Sequence, residues 1–337
     1  MSIKIIPDVY TGQNFNKTIY YQFRGVGIDP LFLPSALSKP RDSNQWTINL
    51  PDIPAEKWKQ PNFRLIIHAQ DFVHWYNNEL CTELFWIEQQ FTEEQQCKII
   101  FLHWDHSLKD YYEGYIQCVE FPSHSYELVH FLKERWNEWK DVHNKDIKYN
   151  WICLNGHPRP HRNQLYQRLQ NQPSGFCTHG LHNPAPMAPY FSTYGWNNVD
   201  NFINLMPLYQ QAKASIVSET IYADHPGIIT EKTLLAIAAK HPFMAIGHIG
   251  IHKELAERGF ENFDELFDLN YDDDRKDIRL NNALDLNWHN IIDPDWDVES
   301  ALEKAERNFD FLINDYTRNI ERRSMQQLQT AMKKSYY

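Results

Sequence analysis

Two short apolar runs in the first half of the chain, Phe63 to His68 (FRLIIH) and Lys98 to His103 (KIIFLH), end in polar residues. Runs of this length read as buried parallel strands. Between them Trp75, Leu80, Leu84 and Ile87 recur at helical spacing, which predicts a helix over residues 75–90. Strand, helix, strand is the βαβ unit of an α/β layer fold. Thr18 to Phe23 is a candidate earlier strand, and Ser125 to Lys140 carries the stripe of an amphipathic helix.

The polar, charged stretch Asp141 to Lys148 marks a domain boundary, and the α/β pattern restarts after it. Trp151 to Leu154 reads as a strand, followed by a Gly/Pro turn and a helix from His161 to Leu169. Residues 171–198, rich in Pro, Gly, Asn and His, read as a long irregular loop, a kind of segment that often carries function. Ala212–Val217 is a strand, Thr230–Lys240 a helix, and Pro242–Ile246 a strand. His252–Arg258 is a helix ended by Gly259. The acidic stretch Asp264–Asp274 follows, and Val298–Met332 is mainly helical. The expectation is an α/β fold of two Rossmann-like domains facing a cleft, residues 1–145 and 146–337, the second ending in helices. Ligands of such sheets bind beyond the carboxyl ends of the strands, so residues just after strands carry the most weight.

Composition narrows the partners. A chain of 337 residues suits two cores, and 42% hydrophobic with 23% charged residues is globular. The 14% of aromatics, eleven Trp and eighteen Tyr among them, serve cores and stacking surfaces alike. A net charge of -11 argues against tight non-specific nucleic-acid binding. The five Cys are odd in number and form no CxxC, which predicts reduced thiols. The N-terminus lacks a signal-peptide layout, and no apolar run approaches the roughly twenty residues of a membrane span. A cytoplasmic protein (of a host cell, if viral) without a membrane span is expected.

The densest chemistry lies in Ser218 to Gly247, SETIYADHPGIITEKTLLAIAAKHPFMAIG. Glu219 follows a strand at once, Thr230 can cap the next helix, and Glu231 and Lys232 sit in its first turn. A helix start offers unpaired N–H groups and partial positive charge, and Lys232 adds a full charge, which makes a cradle for a diphosphate. Glu219 or Glu231 would accept hydrogen bonds from ribose or sugar hydroxyls. The plainer reading is a common Thr-Glu cap beside a solvated lysine. A second segment, NGHPRPHRNQLYQRL from Asn155, also follows a strand and opens a helix. Its Arg159 and Arg162 are either surface charges or planar forks for two diphosphate oxygens.

The order Glu219, Thr230, Glu231, Lys232, then a small-residue helix and a Pro-initiated strand, resembles the donor-binding motif of the α1,3/α1,4-fucosyltransferase family. Thr220 stands where that family prefers Asn, and Ile228 and Ile229 replace its aromatic before Thr-Glu-Lys. Arg162, with Arg159 beside it, matches the Arg that contacts the donor diphosphate in the family. The segment from Pro242 to Asp274 looks like glycosyltransferase-like proteins frequent in phages and other viruses. The resemblance covers about residues 151–274. It implies a GT-B glycosyltransferase that moves a sugar from a GDP- or UDP-sugar to a hydroxyl on a glycan or other acceptor, with inversion and without a metal or other cofactor. Arg159, Arg162, Glu219, Thr230, Glu231 and Lys232 would then be the donor-binding residues.

A base that takes the acceptor proton is expected in the first half, after a strand: His68 and Asp71 in HAQD, or Asp105 and His106 in HWDH, with Asp71 and Asp105 favoured. A metal reading of HWDH is weak, because adjacent residues on extended chain point to opposite faces. Two further readings stay open. One is a phage-type glycosyltransferase acting on a hydroxylated DNA base, for which the aromatics speak and the acidic balance does not. The other is a nucleotide- or carbohydrate-binding module without catalysis. No P-loop, GxGxxG or GxSxG is present, so kinase, dehydrogenase and esterase readings lack support.

Overall fold

The computed structural model describes residues 29–34, 37–38, 47–48, 53–68, 75–76, 80–103, 108, 112–120, 128–129, 132–133, 147–156, 158–179, 200–225 and 227–333. The chain forms two compact units, Met1–Ser123 with Asn319–Tyr337, and His124–Arg318. The boundary read near residue 145 lies within the second.

In the first unit the chain runs through β1 (Asp29–Pro34), the ribbon β2 (Leu37–Ser38) and β3 (Thr47–Ile48), α1 (Ala55–Trp58) and β4 (Phe63–His68). It continues through β5 (Trp75–Tyr76), β6 (Leu80–Cys81), α2 (Thr82–Gln90), α3 (Glu93–Gln96), β7 (Ile99–His103) and β8 (Gln117–Glu120). A four-stranded sheet of order β1-β4-β7-β8 is parallel throughout. All five residues of β7 are buried, as expected of a strand covered on both faces. Phe63, Leu65 and Ile67 alternate along β4 and share a core with Leu84, Ile87 and Phe101. The helix expected over 75–90 is therefore shorter than its periodicity. Trp75–Tyr76 pairs antiparallel with Leu80–Cys81, and helix begins only at Thr82.

The second unit contains β9 (Tyr149–Cys153), α4 (Pro160–Leu169), β10 (Gly175–Cys177), α5 (Asp200–Tyr209), β11 (Ala212–Ser218), α6 (Glu231–Ala238) and β12 (Phe243–Ile246). After these come α7 (Ile251–Glu257), α8 (Lys276–Ile292), α9 (Glu299–Phe311), a π-helical turn over Leu312–Tyr316, and α10 (Thr317–Lys333), most of which belongs to the first unit. The sheet order is β10-β9-β11-β12, again parallel. This is a mixed α/β, Rossmann-like class of structure. Residues 175–177, read as loop, form a strand on β9, and residues 180–198 of that loop lie outside the described residues. The candidate strand Thr18–Phe23 also lies outside them. Of the candidate helix 125–140, residues 128, 129, 132 and 133 are described and are helical. No helix among the described residues is long and apolar enough to cross a membrane.

Two helices end in the same way for different residues. After α7, Gly259 takes φ 104°, and Phe260 N–H bonds back to the Leu255 carbonyl at 3.0 Å. After α6 the left-handed position is filled by Lys240 (φ 55°), with His241 N–H donating to the Ala236 carbonyl at 3.0 Å. Both are Schellman closures, in which glycine is the unstrained choice.

Candidate functional site

From β9 the chain passes through α4 to β10 on one side of β9, then returns through α5 to β11 on the other side. The connections leave β9 and β11 in opposite directions, so a crevice opens beyond the carboxyl ends of these two strands. Asn155 to Arg162 enters it after β9, and Glu219 with Thr220 enters it after β11.

The start of α4 has Pro160 at its first position and Arg159 as its extended N-cap, without a side-chain cap. Proline suits that position because its missing N–H would have had no helical partner. A side chain added at Gly156 would meet nothing within 4 Å, so this turn borders open space. Arg159 is exposed, whereas Arg162 is only 1% exposed. The Nη2 of Arg162 donates to the carbonyls of Ser218 (3.3 Å) and Glu219 (3.1 Å), pinning the end of β11 to α4. His161 bonds the same Glu219 carbonyl through Nε2 at 3.1 Å, so that nitrogen carries the proton. Its ring stacks on Tyr222, with centroids 4.9 Å apart. Burial lowers the His161 pKa to about 4, and the charges of Arg162, Arg159 and Lys232 push the same way against the pull of the carbonyl hydrogen bond. The imidazole is thus a neutral group among cations.

Glu219 has no exposed surface. One carboxylate oxygen accepts from Thr230 N–H (3.1 Å) and the Thr233 hydroxyl (2.5 Å). The other accepts from Thr220 N–H (3.1 Å) and the Thr230 hydroxyl (2.5 Å). Four donors satisfy this buried carboxylate, as a buried polar group requires. They also use its lone pairs, so Glu219 holds the start of α6 in place, and the sugar-hydroxyl contact expected of it has no acceptor left to use. Gly247, just after β12, allows the close approach: a β-carbon there would stand 3.0 Å from that of Glu219. Thr230 caps α6 by accepting from Lys232 N–H at 3.4 Å. Lys232 Nζ lies 3.1 Å from the Thr220 hydroxyl and 2.5 Å from a Glu231 oxygen.

The structure therefore gathers Arg159, Arg162, Glu219, Thr230, Glu231 and Lys232 around one crevice, with different tasks. Glu219, Thr230 and Arg162 build the scaffold, while Arg159 and Lys232 carry charge nearer the surface. Sequence reasoning missed His161, Tyr222 and Arg279. His161 stood inside the quoted motif, and its place beside Arg162 at a helix start was the available signal. Arg279 lies on α8, where no motif pointed to the crevice. Two buried atoms near the strand ends, Asn155 Oδ1 and Ser218 Oγ, have no hydrogen-bond partner.

In the first unit His68 is the last residue of β4, at the carboxyl edge of the sheet. Asp71, Asp105 and His106 lie outside the described residues. Among the described residues no group of three or more His, Cys, Asp or Glu is placed to hold a metal ion. Comparison of the chain with models of protein families, with curated proteins and with solved structures found no match.

Proposed function

We propose that the chain is a glycosyltransferase of the GT-B, fucosyltransferase-like kind, binding a GDP- or UDP-sugar at the crevice between β9 and β11. The observation that carries this reading is the meeting of Arg159, His161 and Arg162 at the start of α4 with Lys232 at the start of α6. A diphosphate needs N–H donors, fixed cations and no nearby free carboxylate. The uncapped first turn of α4 and the ammonium of Lys232 supply the first two. The carboxylate of Glu219 is turned inward onto its four donors and that of Glu231 is paired with Lys232, so neither stands free, which meets the third.

In the reaction an acceptor hydroxyl attacks the anomeric carbon, a base takes its proton, and the nucleoside diphosphate leaves with the bonding pair. Charge grows on the leaving diphosphate, where Arg159, Lys232 and the helix N–H groups are held ready. His68, Asp71 and Asp105 are the candidates for the base, and the acceptor is a glycan or another hydroxyl compound. Asp71→Asn and Asp105→Asn keep donor binding and lose transfer if either carboxylate is that base; full transfer in both removes them.

The donor site is tested by calorimetry with GDP and UDP. Lys232→Ala and Arg159→Ala each weaken binding by about 1–3 kcal/mol, the range of hydrogen bonds to charged groups. Unchanged affinity in both variants refutes the site. Arg162→Ala is less diagnostic, because it also releases two backbone carbonyls and lowers stability. A thermal-shift screen over GDP, UDP, ADP and CMP identifies the nucleotide, since a ligand of the folded state raises the melting point.

A further inference from the structure

Arg279, in the first turn of α8, has no exposed surface. Its guanidinium joins three segments. Nε donates to the Asp274 carbonyl (2.7 Å), just ahead of α8. Nη1 donates to the carbonyls of Ala223 (2.9 Å) and Gly247 (2.8 Å), which follow β11 and β12. Nη2 pairs with an Asp224 carboxylate oxygen at 3.0 Å. The same guanidinium lies 5.5 Å from the ring centre of Tyr222. The Tyr222 hydroxyl is bound in turn to α8, donating to the Lys276 carbonyl (2.6 Å) and accepting from Leu280 N–H (2.9 Å). Its ring stacks on His161, at 4.9 Å and an interplanar angle of 19°. The chain from Arg279 through Tyr222 to His161 thus links α8 to the start of α4, and its carbonyl bonds link α8 to the ends of β11 and β12.

A buried guanidinium gives up a large hydration energy, and well-packed apolar residues often stabilise a fold as well as a buried charge does. What the planar fork supplies, and an apolar side chain cannot, is simultaneous placement of several carbonyls. Two of the three carbonyls placed here belong to the segment that begins with Glu219 and Thr220 and to the residue that packs on Glu219; the third, of Asp274, lies just ahead of α8. We propose that Arg279 and Tyr222 are positioning residues for the ligand crevice. They hold segment 219–224 and His161 so that Lys232 and the start of α4 act on one ligand. The inference rests on reading that crevice as the nucleoside-diphosphate site.

The test uses the full chain and measures the Kd of GDP or UDP, whichever the wild type binds, well below each variant's melting midpoint. Arg279→Lys keeps the charge and loses the fork, and is expected to weaken binding by about tenfold or more. Tyr222→Phe keeps the ring over His161 and loses both hydroxyl bonds, and is expected to weaken binding by about threefold or more. Asn308→Ala, which removes a buried amide that donates to the Glu261 carbonyl and accepts from its N–H, lowers the melting point and leaves Kd unchanged. Lys232→Ala combined with Arg279→Lys gives less than the sum of the single losses, because both act on one ligand contact. Folded variants whose Kd stays within about twofold of wild type overturn the proposal. So does a failure of both variants to fold, which would make the contacts purely structural. A wild type that binds no nucleoside diphosphate instead overturns the reading of the crevice, and the inference falls with it.

Discussion

At Glu219 a carboxylate without exposed surface accepts from two backbone N–H groups and two threonine hydroxyls. Exchanging one oxygen for an amide group sets donor against donor at that position. Glu219→Gln is expected to lower stability by about 1–3 kcal/mol, measured by urea denaturation, because a buried N–H loses its acceptor. Its neighbour Ser218 gives the opposite expectation. The Ser218 hydroxyl is buried without a partner, so Ser218→Ala removes a group that folding desolvates for no return. That variant is expected to keep or gain stability, by up to about 1 kcal/mol. A loss larger than that would mean that the hydroxyl is bonded in solution. From sequence, Ser218 was the polar end of a strand and Glu219 a candidate acceptor for sugar hydroxyls. What separates them is where the donors of Thr230 and Thr233 arrive, and that is set by packing.

At the scale of elements, legibility followed the purity of the apolar pattern. β4, β7, β11 and β12 are short runs buried on both faces, and a buried strand announces itself by composition alone. β1 (DPLFLP) was missed because Pro30 and Pro34 argue against a strand, yet it lies at the sheet edge, where proline is tolerated. α8 was missed because KDIRLNNALDLNWHNII hides its buried Leu280, Ala283, Leu284 and Ile291 among Asn and Asp, residues with poor helix propensity. With α8 went Arg279, so the support of the crevice was invisible even though its helix starts were not. The end of α6 tests a subtler element-level rule. Lys240 bears left-handed strain, while its side chain pairs with Glu306 and lies 4.6 Å over the Phe309 ring. The strain costs about 1 kcal/mol. The exposed ion pair and the ring contact together return a similar amount, about 1 kcal/mol. Lys240→Gly relieves the strain as it loses the contacts, and is expected within about 1 kcal/mol of wild type. Lys240→Ala loses the contacts and keeps the strain, and is expected to be less stable than the glycine variant, by about 1 kcal/mol. A denaturation midpoint for Ala above that for Gly would contradict the assignment.

At the scale of the molecule, several buried titrating groups act in one direction, and all of those described below lie in the second unit. His161 is held to about 4, against 6.5 for a free histidine, by burial first and by neighbouring cations. His252 is lowered too, by burial, with Asp272 opposing. In both cases the unfolded chain takes up a proton that the folded chain refuses. Their stabilising effect is therefore whole above pH 6.5 and is lost as pH falls below it, for His161 from 6.5 toward 4 and on the order of 1–3 kcal/mol. Glu254 continues the trend lower down. Burial alone would raise its pKa, but Arg258 and His248 bring it to about 2, so its contribution is lost between 4.5 and 2. Asp272, raised by burial, opposes this loss in part. The second unit is expected to lose stability on acidification in two overlapping stages, the first of which begins near pH 6.5, above the range where carboxylates titrate. Melting points taken at intervals from pH 7 to pH 4 at constant ionic strength measure that first stage. His161→Gln, which keeps an N–H for the Glu219 carbonyl but cannot titrate, should flatten it by about one proton's worth of slope. If the variant falls as steeply as wild type, His161 is already protonated or solvated in the folded state. The arrangement of neutral imidazole among cations at the crevice would then be wrong, independently of any ligand.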